Sequence, residues 1–142
     1  MPFLRLTLTS AELDIGVRTR LQQGLTQLMA TTLRKQAALT VVAVEHAPAT
    51  TWSVGGAALT DDDWSAQLEV FITAGTNDSK ERGRFIAEAE QLICAQWTSP
   101  PNAPLYIVVN EVPDDSWGYD GMTQADRRAH HSNPSTTPLK GS

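Results

Sequence analysis

One internal echo constrains this chain more than any other feature. Val44, Pro48, Trp52 and Gly56 match Val109, Pro113, Trp117 and Gly121 at a single offset of 65 residues. With only four tryptophans and eight prolines in the chain, chance is a poor source of two matched Pro–Trp pairs. Each copy follows a short apolar run and reads as a strand end, a proline turn, a tryptophan and then a glycine. A long fixed period of this kind marks a duplicated supersecondary unit.

The residues before each copy define that unit. Phe3 to Leu8 alternates, with Leu4, Leu6 and Leu8 on one side and Phe3, Arg5 and Thr7 on the other, so a strand is predicted. From Ala11 to Gln36, Val17, Leu21, Leu25 and Leu28 form one apolar helical stripe. Gly16 and Gly24 lower the propensity without erasing the pattern. Leu39 to Val44 is apolar and partly β-branched, which predicts a strand buried on both faces. Gln67 to Thr73 alternates again, with Leu68, Val70 and Ile72 on one face. Asp78 and Glu81 have capping-box spacing ahead of a helix expected from Ser79 to Trp97, burying Phe85, Ala89, Leu92 and Ile93. The prolines between Thr98 and Pro104 end it, and Leu105 to Val109 is the fourth strand.

The result is two β-α-β units, 2–56 and 66–121, with parallel strands inside each because the crossover is right-handed. The expected fold class is α/β (α+β): a four-stranded mixed sheet with two helices on one face, forming one domain over 1–121. The linker Ala57–Ser65 carries Asp61, Asp62 and Asp63 and reads as a solvated turn. Residues 122–142 are polar and aperiodic, and a C-terminal tail is expected there. The same order of elements also describes a ferredoxin-like domain.

Composition narrows the function classes. The chain has 142 residues, 41% of them hydrophobic and 19% charged, which suits one globular domain. A net charge of −5 without a basic stripe argues against nucleic acid and anionic membranes as partners. A single cysteine, Cys94, excludes a disulfide framework and a cysteine zinc cluster. No apolar run approaches the ~18 residues of a membrane span, and the start lacks the features of a secretory signal; a soluble, cytoplasmic protein is expected. GxGxxG, P-loop, HExxH and GxSxG motifs are absent. His46, His130 and His131 form no ligand spacing with Cys94, so no metal or other cofactor is expected.

One position carries distinct chemistry. Methionine before proline is normally trimmed, which would leave Pro2 as a terminal secondary amine. Backbone amides cannot act as bases, whereas a free α-amino group has a reference pKa near ~8. Burial or a nearby cation lowers that value, giving a neutral amine able to take a carbon-bound proton beside a carbonyl. Here the proline directly begins a strand, which fixes the amine at a sheet edge.

Met1-Pro2 on an alternating strand, the following helix and strand, and Trp52-Ser53-Val54-Gly55-Gly56 resemble the tautomerase superfamily over about residues 2 to 121. The two-unit length is similar to that of macrophage migration inhibitory factor, cis-3-chloroacrylic acid dehalogenase and malonate semialdehyde decarboxylase. The resemblance implies a homotrimer with sheets around a central axis. It also implies an amino-terminal proline acting as general base or acid on a small-molecule substrate, in a pocket at a subunit boundary. Pro2 falls on the catalytic proline. Trp52 falls where 4-oxalocrotonate tautomerase places a pocket phenylalanine, and Trp117 is its repeat counterpart. Tyr106 and Tyr119 fall on a pocket tyrosine and a pocket tryptophan of the migration inhibitory factor, and Lys35 lies near its pocket lysine. Ala66 stands where a second proline would be, so one site per chain is implied.

The departures bear on substrate. Thr73-Ala74-Gly75-Thr76 replaces the stretch that holds an arginine pair in the dehalogenase and the decarboxylase. Asp120 is close to the place of the dehalogenase's water-activating carboxylate. The function expected is keto–enol tautomerisation of a small 2-oxo or enol acid. The alternatives are a hydratase-type lyase (dehalogenase or decarboxylase) and a catalytically silent trimeric binding protein. A shared role in packing or subunit contact is the preferred reading of Trp52 and Trp117, Tyr106 also fits the core of an apolar strand, and Lys35 reads first as a solvated cation at a helix end.

Overall fold

Alternation in the first residues builds a central strand. The computed structural model describes residues 2–132. In chain order the elements are β1 (Phe3–Thr9), α1 (Ile15–Thr31), β2 (Val41–Ala47), β3 (Ser53–Val54), β4 (Ala57–Ala58), β5 (Ser65–Thr73), α2 (Ser79–Cys94), β6 (Tyr106–Val112), β7 (Gly118–Tyr119), β8 (Met122–Thr123) and α3 (Gln124–Ser132). The main sheet has the order β2-β1-β5-β6. β1 runs parallel to β2 and antiparallel to β5, and β5 runs parallel to β6. This is the mixed sheet of two β-α-β units that the repeat predicts.

The even-numbered side chains of the two central strands make the core. Leu4, Leu6, Leu8, Ala66, Leu68, Val70 and Ile72 are fully buried, together with Leu21, Leu25 and Met29 of α1 and Phe85, Ala89 and Ile93 of α2. Burying each large apolar side chain is worth about 1.5–3 kcal/mol, so this layer drives the fold. Val17, Leu28 and Leu92 pack against it while partly exposed.

Local chemistry sets the helix ends. α1 starts four residues later than the apolar pattern alone suggests. Asp14 caps it, its side chain accepting from the Gly16 N–H at 2.6 Å, while the Ser10 hydroxyl is engaged with the Glu12 carbonyl. A carboxylate at the N-cap satisfies a donor that the helix leaves open. α2 starts with the expected capping box, Asp78 and Glu81 bonding reciprocally. It ends at Cys94, short of Trp97, whose ring stacks on Trp64 with centroids 4.1 Å apart.

Two expectations are corrected. β2 is an edge strand rather than one buried on both faces, and Val41 is 52% exposed. Only the face under the helices is covered, a distinction that an apolar run cannot express. Residues 122–132, read as the start of a polar tail, form β8 and α3 instead. Residues 133–142 of that expected tail, and Met1, lie outside the described residues.

The repeat extends into hydrogen-bond detail. The β3–β4 and β7–β8 hairpins are offset by 65 residues, so the linker begins with β4. The Leu59 N–H donates to the Trp52 carbonyl and the Gln124 N–H to the Trp117 carbonyl, both at 2.9 Å. Both turns need left-handed backbone, met by Gly56 (φ 83°) and Gly121 (φ 80°), where a side chain would be strained. Among the described residues no helix is long and apolar enough to cross a membrane.

Candidate active site

The sheet has two chemically different ends. At one, β1 and β2 begin while β5 and β6 finish, because Phe3 faces both Val41 and Phe71 and because Thr73 pairs with Val112. Pro2 sits here, buried, with its carbonyl accepting from the Val41 N–H at 3.3 Å. Beside it opens a cavity of about 370 Å³, whose walls come from Arg34, Lys35, Gln36, Leu39, Thr73, Thr76, Tyr119, Gln124, Arg127 and Arg128. Pro2 shares this end of the sheet with the cavity but is not among the residues that line it. Leu39 precedes its hydrogen-bond partner by two residues, and Thr73 follows Ile72, which the register sets opposite Pro2.

A relay of hydroxyls joins the elements around the opening. The Trp117 indole N–H donates to Thr73 Oγ1 at 3.2 Å, pinning the β7–β8 hairpin to the end of β5. Thr76 Oγ1 donates to the Thr73 carbonyl and accepts from Lys35 Nζ, both at 2.7 Å. Arg34 takes a left-handed backbone (φ 58°), a strained conformation for a residue with a Cβ. It turns the chain after α1, and the next residue, Lys35, donates its N–H to the Met29 carbonyl.

Among the described residues four cations line the cavity and no carboxylate does. Two are neutralised from behind. Arg34 forms a fork on Glu81, with N···O distances from 2.9 to 3.1 Å. The N–H bond from Asp78 and the bond from Arg34 hold Glu81 below its ordinary carboxylate pKa. Arg128 pairs with Asp114 at 2.7 Å. Arg127 instead stacks on the Tyr119 ring at 3.8 Å and donates to the Tyr119 carbonyl at 2.8 Å. Burial, and then the charge of Arg34, pull Lys35 below the ordinary lysine pKa of 10.5. Its proton is therefore held less tightly in the folded chain than in the unfolded one, so this group's contribution to stability rises with pH up to about 10.5. A side-chain NMR titration should show Lys35 losing its proton below the ordinary lysine pKa of 10.5; a midpoint at or above that value would refute this.

The sequence-derived site residues divide between the two ends. Pro2, Lys35, Trp117 and Tyr119 gather at the cationic end. Trp52 and Tyr106 lie at the other, since β2 finishes beside Thr9 and Tyr106 pairs with Gln67 near the start of β5. Tyr106 is 67% exposed rather than core. Ala66 occupies the register place of Pro2 in the second unit, as Gln67↔Tyr106 repeats Phe3↔Val41. A second cavity of about 350 Å³ lies at this far end, with Ser10, Glu12, Asp61, Asp62, Asp63 and Trp64 in its walls.

Sequence reasoning missed Arg34, Thr76, Gln124, Arg127 and Arg128. It looked for cations between Thr73 and Thr76, whereas here they arrive from the turn after α1 and from α3. Cys94 has its thiol pKa raised by burial and by Glu90, which suits a packed thiol rather than a nucleophile. No group of His, Cys, Asp and Glu able to hold a metal occurs among the described residues.

Comparison with known proteins agrees with this architecture. No family model matches the chain. "Probable tautomerase K2" of Dickeya dadantii (strain 3937) is 33% identical over 61 residues, which cover 43% of this chain and 91% of that protein. Among solved structures, native fused 4-OT superposes with a TM-score of 0.76 at 18% identity, covering 87% of this chain and 97% of that one. N1, a member of the cis-3-chloroacrylic acid dehalogenase family, superposes with a TM-score of 0.70 at 14% identity, covering 92% and 93%. The chain belongs to the tautomerase superfamily. Its single-unit relative matches less than half of it, as a duplicated fold requires.

Proposed function

We propose that the chain is a proline-dependent tautomerase that moves a proton between the keto and enol forms of a small 2-oxo or enol acid. The observation that carries this reading is the burial of Pro2 at the sheet end where the cationic cavity opens. Removal of Met1 makes the Pro2 nitrogen a secondary amine. Burial favours its neutral form, so it accepts the proton α to the substrate carbonyl as the enolate forms. The same nitrogen, now protonated, returns that proton at carbon or oxygen, and the reaction closes without net change in charge.

Fused 4-OT is described as a trimer in symmetric and asymmetric forms, and we extend trimeric assembly to this chain. In one protomer Trp52 and Tyr106 are remote from Pro2, so they join its pocket only if another copy supplies them. The hydratase-type reading takes second place: no carboxylate lines the cavity, and Asp120 is exposed. Intact mass and turnover together test the proposal. The purified chain should lack Met1 and interconvert the enol and keto forms of phenylpyruvate. Full turnover by chains that retain Met1 would sink the mechanism.

A further inference from the structure

Of the three arginines bordering the cavity, only Arg127 has no carboxylate partner among the described residues. It is 8% exposed, and its guanidinium makes one hydrogen bond, to the Tyr119 carbonyl. Among the described residues its Nε is buried with no acceptor, and so is the amide nitrogen Nε2 of Gln124 on the same cavity wall. A buried guanidinium without a counter-charge is costly, and two buried donors without acceptors add to that cost. The fold keeps them in place by other means. The Gln124 N–H is tied to the Trp117 carbonyl, the Ala125 N–H to the Asp114 carbonyl, and Arg128 to Asp114. Glu81 and Asp114 occupy the competing arginines. The donors at this wall match an anion with acceptor oxygens.

We propose that Arg127, with Gln124 beside it, is the carboxylate receptor of the cavity, so that α3 rather than the segment after β5 recognises the acid group of the substrate. This rests on the reading of the cavity as the substrate site. One unpaired guanidinium fork suits a monocarboxylate, because its planar donors match two carboxylate oxygens. The stack on Tyr119 and the bond to its carbonyl hold the fork in place.

Calorimetric titration of the full chain with phenylacetate and its neutral isostere phenylacetamide tests the proposal. The unmodified chain should bind the acid about ten-fold or more tightly than the amide. Arg127→Gln should abolish that preference, Arg127→Lys should keep part of it, and Pro2→Ala should leave it within about two-fold. A purely structural role would alter both ligands alike, so the acid-to-amide ratio is the deciding quantity. Circular dichroism checks each variant, and if Arg127→Gln does not fold, Arg127→Lys decides. An undiminished ratio in the folded arginine variant, no preference in the unmodified chain, or no binding of phenylacetate overturns the assignment. The two readings fail separately. Undiminished phenylpyruvate turnover by Pro2→Ala removes the proline mechanism and leaves the receptor standing, whereas an unchanged ratio does the reverse.

Discussion

Pro2→Ala should lower the turnover of phenylpyruvate by about 100-fold, at the lower end of the range for a positioned general base. The loss should fall on kcat and leave KM nearly unchanged, because the cavity walls contain Arg127 and Lys35 but not Pro2. The alanine chain still presents an α-amine of similar reference basicity, so the change tests placement more than pKa. The pyrrolidine ring closes on the nitrogen and fixes the direction of its lone pair at the head of β1, whereas a primary amine rotates about its N–Cα bond and is more readily solvated. Proximity and orientation are the terms that such freedom erodes. Steady-state kinetics on the mass-verified variant is the check, and turnover within about three-fold of the parent would show that the imino nitrogen does no chemistry.

Gly118→Ala should be the most damaging single methyl outside the core. A Cβ at Gly118 would sit 1.9 Å from the Met122 carbonyl oxygen and 2.7 Å from both the Met122 carbonyl carbon and Thr123 Cα. All three are backbone atoms, so no rotamer change relieves the clash, and the β7–β8 hairpin has to open. Overpacking of this kind costs about 1–3 kcal/mol, measurable by urea unfolding. The functional cost should be larger in proportion, since the hairpin carries Tyr119 and leads into Gln124 and Arg127. Phenylacetate affinity should fall with stability. A variant with unchanged unfolding midpoint and unchanged affinity would contradict this account of the hairpin. The equivalent place in the first hairpin is Ser53, which shows that the repeat as such does not demand glycine.

Much of the scaffold is legible from residues alone because burial in it follows short periods. Leu4, Leu6 and Leu8 alternate into the core, Asp78 and Glu81 announce their helix, and the paired Pro–Trp motifs locate both hairpins. The limits have physical causes. Leu39 to Val44 is apolar whether its strand is central or at an edge, and only the sheet order shows that Val41 faces outward. α3 has no apolar stripe to betray it. Hydrogen bonds to the preceding hairpin, one ion pair and the stack of Arg127 on Tyr119 hold it, not a buried apolar face. The cavity is harder still to foresee, as its walls come from three stretches, 34–39, 73–76 and 119–128. The offset of 65 does continue past Gly56 and Gly121, but only in the hydrogen bonds of Leu59 and Gln124; the residues there differ, so the sequence itself does not carry the repeat past residue 121.

The doubled scaffold also sets a direction for traffic. Two of its openings, at opposite ends of the sheet, are opposite in sign, one edged by Arg127 and Lys35, the other by Glu12 and the three successive aspartates. A small anion diffusing nearby is drawn toward the first and turned away from the second before it touches either. This bias weakens as salt is added. The acidic opening therefore does not compete for a small anion that the cationic one attracts.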